Sequence, residues 1–371
     1  RRVLFRSPGK VFVAIVGENF DGNDYALQAL EVGAAYAIVN SDRLADIGMI
    51  PREPYGRAMP IADGRIIPVE DPFKALQALS IHHRETLGIP VIGLTGTNGK
   101  TTTKDLTAAV LSALGKVCKT TANFNNEIGV PMTLLEIDEG HAAAVVEIGM
   151  RGLHQIETLA RYVKPTIGAV INVNETHIEI LGSVENIARA KSELVEAIPA
   201  GGTVILNADN PYTLNMKNLV APIVRVITYA LENPADLTAE NISIGNGTTN
   251  FTLHYGGESY GFEIPVIGRH NVSNALAAIA AGLSVGLTID EIKYGISSLV
   301  TTKMRFEVIR RDGVVIVNDA YNASPASMRA SIKTVAEVYP NRKIAVLGDM
   351  LELGVISEKV HREVGAELAA N

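Results

Sequence analysis

The chain has 371 residues, of which 47% are hydrophobic and 20% are charged, and its formal net charge is −7. This length predicts two or three domains, the composition excludes an intrinsically disordered chain, and the acidic balance without a basic stripe argues against a nucleic-acid surface. The single cysteine, Cys118, excludes an internal disulfide and suits a reducing cytoplasm, while no apolar run reaches the ~18 residues that would predict membrane insertion.

The first part of the chain predicts a small α/β domain. Residues 11–70 alternate short strands, at 11–16 and 35–40, with one helix at 24–30. A longer helix is predicted over 72–87, and it leads directly into the next segment.

The most informative segment is the glycine-rich turn at 96–103, which lies between an apolar strand and a helix. A strand, such a turn and a helix N-terminus together form an anion-binding cradle, because backbone N–H groups and the helix dipole favour phosphate there. Lys100 is expected to reach the terminal phosphates of a nucleoside triphosphate, and the Thr101 hydroxyl is expected to bind Mg²⁺. The spacing departs from the strict phosphate-loop pattern, because Leu94 stands where the first glycine belongs.

From residue 89 to about 230 the pattern alternates apolar strands with helices. Strands are predicted over 142–148, 166–173 and 203–207. Such alternation is typical of a parallel sheet covered by helices on both faces, with ligands bound at the carboxyl ends of the strands.

Residues 237–266 differ, since repeated Gly, Asn and Thr with short alternating runs predict β-hairpins. A helix is predicted over 271–283 and a linker over 301–303. Beyond the linker the sequence predicts the start of a further α/β unit: a hairpin turning at 312–313, a polar loop, a helix from Pro325 and a strand over 344–347.

Three ionisable side chains in the central region could serve a metal. Glu147 ends a predicted strand, where a carboxylate can hold Mg²⁺, although a strand-end residue can equally face solvent. His177 follows another strand, and a loop histidine is more often a surface residue than a ligand. Lys191 lies on the next helix, where a lysine is nearly always solvated, and only its place after the histidine loop makes it a candidate.

Two polar segments could contact a nucleotide. The first, at 270–275, opens a helix, and its Asn271 or Asn274 could hydrogen-bond an adenine edge or simply cap the helix. The second, at 318–325, turns abruptly from apolar residues to Asp, Tyr, Asn and Ser. That change is typical of a binding loop, although plain turn chemistry has the same composition.

Taken together, these segments resemble the Mur ligases of peptidoglycan synthesis. The turn at 95–101 has the form shared by Mur ligases and their folate-pathway relatives. The segments at 125–131 and 319–325 resemble the branch that adds D-alanyl-D-alanine, and the segment at 348–354 extends the similarity towards the end of the chain.

The resemblance implies an α/β fold of three domains around a central P-loop-type parallel sheet. It assigns residues 1–87 to a small UDP-sugar-binding α/β domain, 88–300 to an ATP-binding domain, and 301–371 to a Rossmann-like ligase domain that is incomplete. It also implies a monomer.

The resemblance further implies a reaction and its participants. ATP would phosphorylate a carboxylate of UDP-N-acetylmuramoyl-tripeptide (UDP-MurNAc-tripeptide), and the amine of D-alanyl-D-alanine (D-Ala-D-Ala) would attack the acyl phosphate. Lys100, His177 and Lys191 would be catalytic. Thr101 and Glu147 would hold a first Mg²⁺, and His177 with a carbamylated Lys191 would hold a second.

By the same resemblance, one group of residues would bind the nucleotide and Asn126 would lie along the path of the muramoyl peptide. The nucleotide group comprises Gly96, Thr97, Asn98, Gly99, Lys100, Thr101, Thr102, Asn274, Arg305, Asp319 and Asn322.

The sequence departs from the family pattern at two places. Asn174 precedes Glu175 where the family usually has glycine, and Arg6–Ser7 reverses the usual order of the uridine-binding pair. The N-terminal segment 1–7 and the helical end at Asn371 indicate that both ends are cut.

Two alternatives stay open from the sequence. One is another amide ligase of the same superfamily, such as a folylpolyglutamate synthase, against which the loop at 319–325 argues. The other is a non-catalytic nucleotide-binding protein, which would not need a second metal site.

Overall fold

The computed structural model describes residues 8–44, 51–52, 57–58, 64–245 and 247–371. The chain divides into two compact units, residues 1–85 and 86–371. The predicted reversal at Arg6–Ser7 lies outside the described residues, and the predicted boundary at residue 300 lies inside the second unit.

The first unit is built on a three-stranded parallel sheet in the order β1-β4-β7. Its helix α1 packs on this sheet over a small apolar core that includes Phe12, Leu30 and Val39. The elements are β1 (Val11–Val13), β2 (Val16–Gly17), β3 (Phe20–Asp21), α1 (Ala26–Glu31), β4 (Tyr36–Asn40), β5 (Pro51–Arg52), β6 (Arg57–Ala58), β7 (Ile66–Val69) and α2 (Pro72–Thr86), the last of which ends one residue into the second unit.

The second unit contains a nine-stranded mixed sheet in the order β16-β15-β14-β13-β12-β11-β8-β10-β9. All neighbours from β9 to β14 are parallel, whereas β15 and β16 add an antiparallel extension, as the hairpin pattern predicts. The strands are β8 (Val91–Thr95), β9 (Lys116–Lys119), β10 (His141–Glu147), β11 (Ile167–Val170), β12 (Thr203–Asn207), β13 (Arg225–Ala230), β14 (Leu237–Ile244), β15 (Thr249–Tyr255) and β16 (Glu258–Ile264).

Helices cover both faces of this sheet. One apolar cluster joins Ile92 and Leu94 of β8 to α3 and α9, and a second joins Val91 to α5 and α7, so every residue of β8 is buried. The helices are α3 (Lys100–Leu111), α4 (Gly129–Leu135), α5 (Gln155–Val163), α6 (Ile178–Leu181), α7 (Val184–Glu196), α8 (Pro211–Asn215), α9 (Arg269–Ser284) and α10 (Ile289–Ser297).

The order of the strands fixes where a ligand should bind. The chain passes from β8 to β9 and β10 on one side, and then to β11 on the other side. The connections therefore diverge at the carboxyl end of β8, and such a switch point is the usual binding crevice of a parallel sheet.

The C-terminal residues form a hairpin and two helices, namely β17 (Glu307–Arg311), β18 (Val314–Asn318), α11 (Pro325–Val338) and α12 (Ser357–Ala370). The predicted strand over 344–347 is wrong, since residues 343–350 have no regular structure. Val346 is 93% exposed, and no strand within the described ranges pairs with this segment to satisfy its backbone. Within the described ranges, no helix has the length and apolarity needed to cross a membrane.

Candidate active site

The phosphate loop lies between β8 and α3, at the switch point of the sheet. Gly99 precedes α3 with a φ of 78°, a left-handed conformation that favours glycine. A Cβ on Gly96 would lie 2.4 Å from Cγ1 of Ile171, and a Cβ on Gly99 would lie 2.7 Å from Oδ1 of Asn274. Glycine is therefore favoured at both positions, because Ile171 and Asn274 fill the space that a side chain would need.

Lys100 folds back over this loop. Its Nζ donates to the carbonyl oxygens of Gly96, at 2.8 Å, and Thr97, at 3.2 Å. Burial lowers the pKa of Lys100, Glu147 raises it, and Arg305 lowers it. The cation is thus held where the terminal phosphates of a nucleotide would lie.

Asn172, which the sequence prediction missed, hydrogen-bonds the backbone of the phosphate loop. Its Oδ1 accepts the backbone N–H groups of Thr97 and Asn98, both at 2.9 Å, and its Nδ2 donates to the Asn98 carbonyl at 2.9 Å. The backbone N–H of neighbouring Asn174 adds a bond to the Thr97 hydroxyl at 3.0 Å. One side chain from the end of the neighbouring strand therefore shapes the phosphate loop.

We expect Asn172→Ala to weaken Mg·ADP binding by about tenfold to a hundredfold, because three hydrogen bonds that preorganise the loop are lost. Isothermal titration with Mg·ADP measures this change. Asn174→Ala is the matched control, since it keeps the backbone N–H that Thr97 uses. Equal affinities in the two variants would show that Asn172 does not shape the loop.

Thr101 and Glu147 meet at the start of α3. The Thr101 hydroxyl donates to Oε2 of Glu147 at 3.3 Å, and Asn125 donates to the other oxygen at 2.9 Å. The N–H of Glu147 donates to the hydroxyl of Thr120 at 2.9 Å. Asn125 was missed, although it adjoins Asn126 within the segment that carries the family resemblance. A hydroxyl and a carboxylate are hard oxygen donors and fit Mg²⁺.

His177 and Lys191 form a second group next to the loop. His177 precedes α6 with a φ of 71°, and its Nδ1 lies against the carboxylate of Glu352. Burial lowers the pKa of His177, Glu352 raises it, and the nearby side chains of Lys191 and Lys100 lower it. Glu352 was also missed, although it lies within the segment 348–354 that resembles the family.

Lys191 is buried, and no described residue pairs with its amine. It is 2% exposed, and its side chain makes no hydrogen bond or ion pair with any residue that the structure describes. Burial, with a contribution from Lys100, holds the pKa of Lys191 well below its ordinary value. The lowered pKa increases the share of neutral amine, and the neutral form of a lysine is a nucleophile.

The C-terminal segment reaches the same loop. The Nη2 of Arg305 donates to the Thr101 hydroxyl at 3.3 Å, and its guanidinium lies 3.9 Å from the ring centroid of Tyr321. The Ser324 hydroxyl donates to Oδ1 of Asn98 at 2.7 Å.

Two further predicted residues, Asn274 and Asp319, lie next to the phosphate loop or to the segment that carries Arg305. Asn274 adjoins Gly99 and donates to Asn271 at 3.0 Å. Asp319 accepts the N–H of Phe306 at 3.1 Å, so it holds the segment that carries Arg305.

Two predicted residues make only local contacts. The exposed side chain of Asn322 accepts the N–H of the next residue, Ala323, at 2.9 Å. Oδ1 of Asn126 accepts the N–H of Gly129, the first residue of α4, at 2.9 Å. The structure does not bring these two side chains to the phosphate loop.

The residues at the loop fit a nucleoside triphosphate with Mg²⁺. Nδ2 of Asn98 and Nε of Arg305 are buried, and no described group accepts from them, so both donors are available to an anion. At the second position the fit is incomplete, since no cluster of three His, Cys, Asp or Glu side chains occurs within the described ranges. His177 would need a further oxygen donor there.

Comparisons with known proteins agree with this geometry. Residues 94–282 match the family model of the Mur ligase middle domain, and residues 304–371 match that of the Mur ligase glutamate ligase domain. The UDP-N-acetylmuramoyl-tripeptide–D-alanyl-D-alanine ligase of Bacillus subtilis is 39% identical over 97% of this chain and 75% of its own length.

Solved structures lead to the same group. MurF from Acinetobacter baumannii superposes with a TM-score of 0.85 at 31% identity, covering 99% of this chain and 76% of that one. MurF ligase from Thermotoga maritima, solved in complex with ADP, gives a TM-score of 0.82 at 28% identity, covering 97% and 79%. The chain therefore belongs to the Mur ligase family, within the group of UDP-N-acetylmuramoyl-tripeptide–D-alanyl-D-alanine ligases.

Proposed function

We propose that this protein is an ATP-dependent amide ligase that joins D-Ala-D-Ala to UDP-MurNAc-tripeptide. The proposal rests mainly on the proximity of two sets of side chains at one end of the sheet. The pair Thr101–Glu147 lies at the start of α3, and the buried Lys191 with His177 lies beside it. A protein that only binds nucleotide would need the first group and not the second.

The reaction balances as two displacements. A carboxylate oxygen of the tripeptide attacks the γ-phosphorus of ATP, and ADP leaves. The amine of D-Ala-D-Ala then attacks the acyl phosphate, the amide bond forms, a proton is lost and inorganic phosphate leaves. Both steps concentrate negative charge at the transferred phosphoryl group, so positioning and electrostatics carry the catalysis.

The side chains of this site divide that work. Lys100 stabilises the charge on the terminal phosphates, and the loop shaped by Asn172 donates backbone N–H groups to them. Thr101 and Glu147 would hold Mg²⁺, which would neutralise phosphate charge. Arg305, Asn274 and Asp319 would grip the nucleotide from the two sides of the crevice.

We further propose that Lys191 is carbamylated. A buried amine with a lowered pKa and no partner among the described residues can react with CO₂ and lose a proton, which creates a carbamate with two oxygens. That anion would supply the oxygen donor that His177 lacks for a second Mg²⁺. Glu352, against Nδ1, would orient the imidazole so that Nε2 faces the metal.

The remaining parts of the proposal concern substrates and setting. Asn126 would lie along the path of the muramoyl peptide, and Asn322 would adjoin the nucleotide. The protein would act as a monomer in the cytoplasm, and the buried, unpaired Cys118 suits a reducing compartment.

We expect phosphate release from ATP only when UDP-MurNAc-tripeptide and D-Ala-D-Ala are both present with Mg²⁺. A coupled phosphate assay measures release, and mass spectrometry of the pentapeptide product confirms the amide. Glu147→Gln serves as the control that removes the metal carboxylate and keeps its shape. Release driven by a folate with glutamate would favour the folylpolyglutamate synthase alternative, and release without either substrate would contradict the ligase proposal.

A further inference from the structure

The carboxylate of Asp105, on the phosphate-loop helix α3, contacts the segment that leads into the C-terminal residues. Asp105 is 2% exposed. Its Oδ2 accepts both the backbone N–H of Thr302, at 3.0 Å, and the Thr302 hydroxyl, at 2.7 Å. The two residues are 197 positions apart in the chain, so this contact joins the central sheet unit to the predicted linker at 301–303.

The other oxygen of Asp105 is also occupied. Oδ1 accepts from Nζ of Lys119 at 2.7 Å and lies 3.7 Å from Nζ of Lys104, which itself donates to the Thr120 carbonyl at 2.9 Å. These two lysine side chains therefore hold the buried carboxylate in place, and a carboxylate acceptor in a fixed position makes a strong hydrogen bond to Thr302.

The residues just after Thr302 are held in an unusual backbone. Met304 has a φ of 61° and Phe306 has a φ of 50°, so left-handed residues flank Arg305 on both sides. Non-glycine residues persist in this conformation only where their surroundings determine it. The surroundings here are Asp105 at one end of the segment and Asp319, which accepts the N–H of Phe306, at the other.

Arg305 lies between these two attachments. Its guanidinium reaches the Thr101 hydroxyl on the same helix that carries Asp105, one turn earlier. We propose that Asp105 is a positioning residue that fixes Thr302 and thereby presents Arg305 to the phosphate loop. This inference rests on the proposed role of Arg305 in gripping the nucleotide.

The test compares neighbouring threonines in the full chain. Thr302→Val removes the hydroxyl donor, Thr302→Ser keeps it, and Thr301→Val changes the exposed neighbour. Asp105→Ala removes the acceptor, whereas Lys119→Met removes one cation and leaves the Thr302 contact in place. The two readouts are amide hydrogen exchange of the peptide over 302–306 and the dissociation constant of Mg·ADP from calorimetry.

We expect Thr302→Val to speed exchange over 302–306 and to weaken Mg·ADP binding by about tenfold, the loss of one charge-assisted hydrogen bond. Asp105→Ala removes both hydrogen bonds to Thr302 and should change the two quantities by at least as much. Thr302→Ser, Thr301→Val and Lys119→Met should stay within about twofold of the parent on the same scale. Unchanged exchange in Asp105→Ala would show that Asp105 does not fix the segment at Thr302. Faster exchange with unchanged Mg·ADP affinity would overturn the positioning of Arg305.

The two proposals fail in different ways. If the parent protein binds Mg·ADP but forms no pentapeptide, the proposed ligase function fails. The proposed role of Asp105 is then still decided by the hydrogen exchange of residues 302–306 and by the affinity for Mg·ADP. If Asp105→Ala lowers the melting temperature too far for binding measurements, Thr302→Val still decides, because it leaves the buried carboxylate and both lysines in place.

Discussion

Replacing Lys191 with methionine is expected to slow amide-bond formation strongly and, in buffer free of metal and bicarbonate, to raise the melting temperature. The parent buries an amine that no described residue accepts from, and methionine has a similar length without a polar group. Because burial desolvates this amine in the folded protein, its removal should raise the free energy of unfolding by about 1–3 kcal/mol. Loss of the carbamate should lower the rate of ligation by at least about 10²-fold.

The gain in stability should depend on pH. Since the pKa of Lys191 in the folded protein lies below its ordinary value of 10.5, the unfolded chain binds a proton that the folded protein does not. The parent therefore loses stability as the pH falls below 10.5, until the lower folded pKa is reached, whereas methionine does not titrate. The gain in the free energy of unfolding from Lys191→Met should thus be larger at about pH 7 than at about pH 10.

Calorimetric melting and the pentapeptide assay measure the two effects. Lys217→Met is the matched control, because Lys217 is exposed and its substitution should change neither quantity. Full turnover in Lys191→Met would remove the carbamate from the proposal. A lower melting temperature would show that the amine has a stabilising partner.

Replacing Lys100 with methionine is expected to lower the rate of ATP-dependent acyl phosphate formation by about 10²–10³-fold, the cost of losing one preorganised charge at a phosphoryl group. Lys100 also lowers the pKa of Lys191 and of His177. Its removal should therefore raise the pKa of Lys191 and reduce the fraction of neutral amine. The ¹³C carbamate signal from labelled bicarbonate should fall in this variant.

Single-turnover phosphate transfer and ¹³C NMR measure these changes. Lys116→Met is the control, because Lys116 forms an exposed ion pair with Asp138 on a distant edge strand. An unchanged transfer rate would show that Lys100 does not contact the phosphates. A lost transfer rate with an unchanged carbamate signal would show that Lys100 and Lys191 act independently.

The elements that could be predicted from the sequence are those fixed by local pattern. The strand β8, the glycine-rich turn and α3 follow from an apolar run, a positive φ at Gly99 and a helix start at Lys100. The helix from Pro325 follows from Ser324, which caps it, and Pro325 at its first turn. Each of these signals lies within a few residues of the structure it determines.

The parts that could not be predicted depend on distant partners. Residues 344–347 have the composition of a strand, but the described residues offer no strand to pair with them. Asn172 reaches the phosphate loop 74 residues away, and Asp105 reaches Thr302, so neither role has a local signature. The position of Lys191 on a helix could be predicted, whereas the absence of a partner for it among the described residues is visible only once α7 is packed.

The close approach of Gly99 to Asn274 limits how the protein can change. Every single-residue replacement of Gly99 adds a Cβ, which would fall 2.7 Å from the Asn274 amide oxygen and on a backbone with a φ of 78°. A compensating change would have to shorten Asn274, which donates to Asn271 within α9. A single substitution at Gly99 would thus not be expected to confer resistance to an inhibitor that binds between the loop and α9.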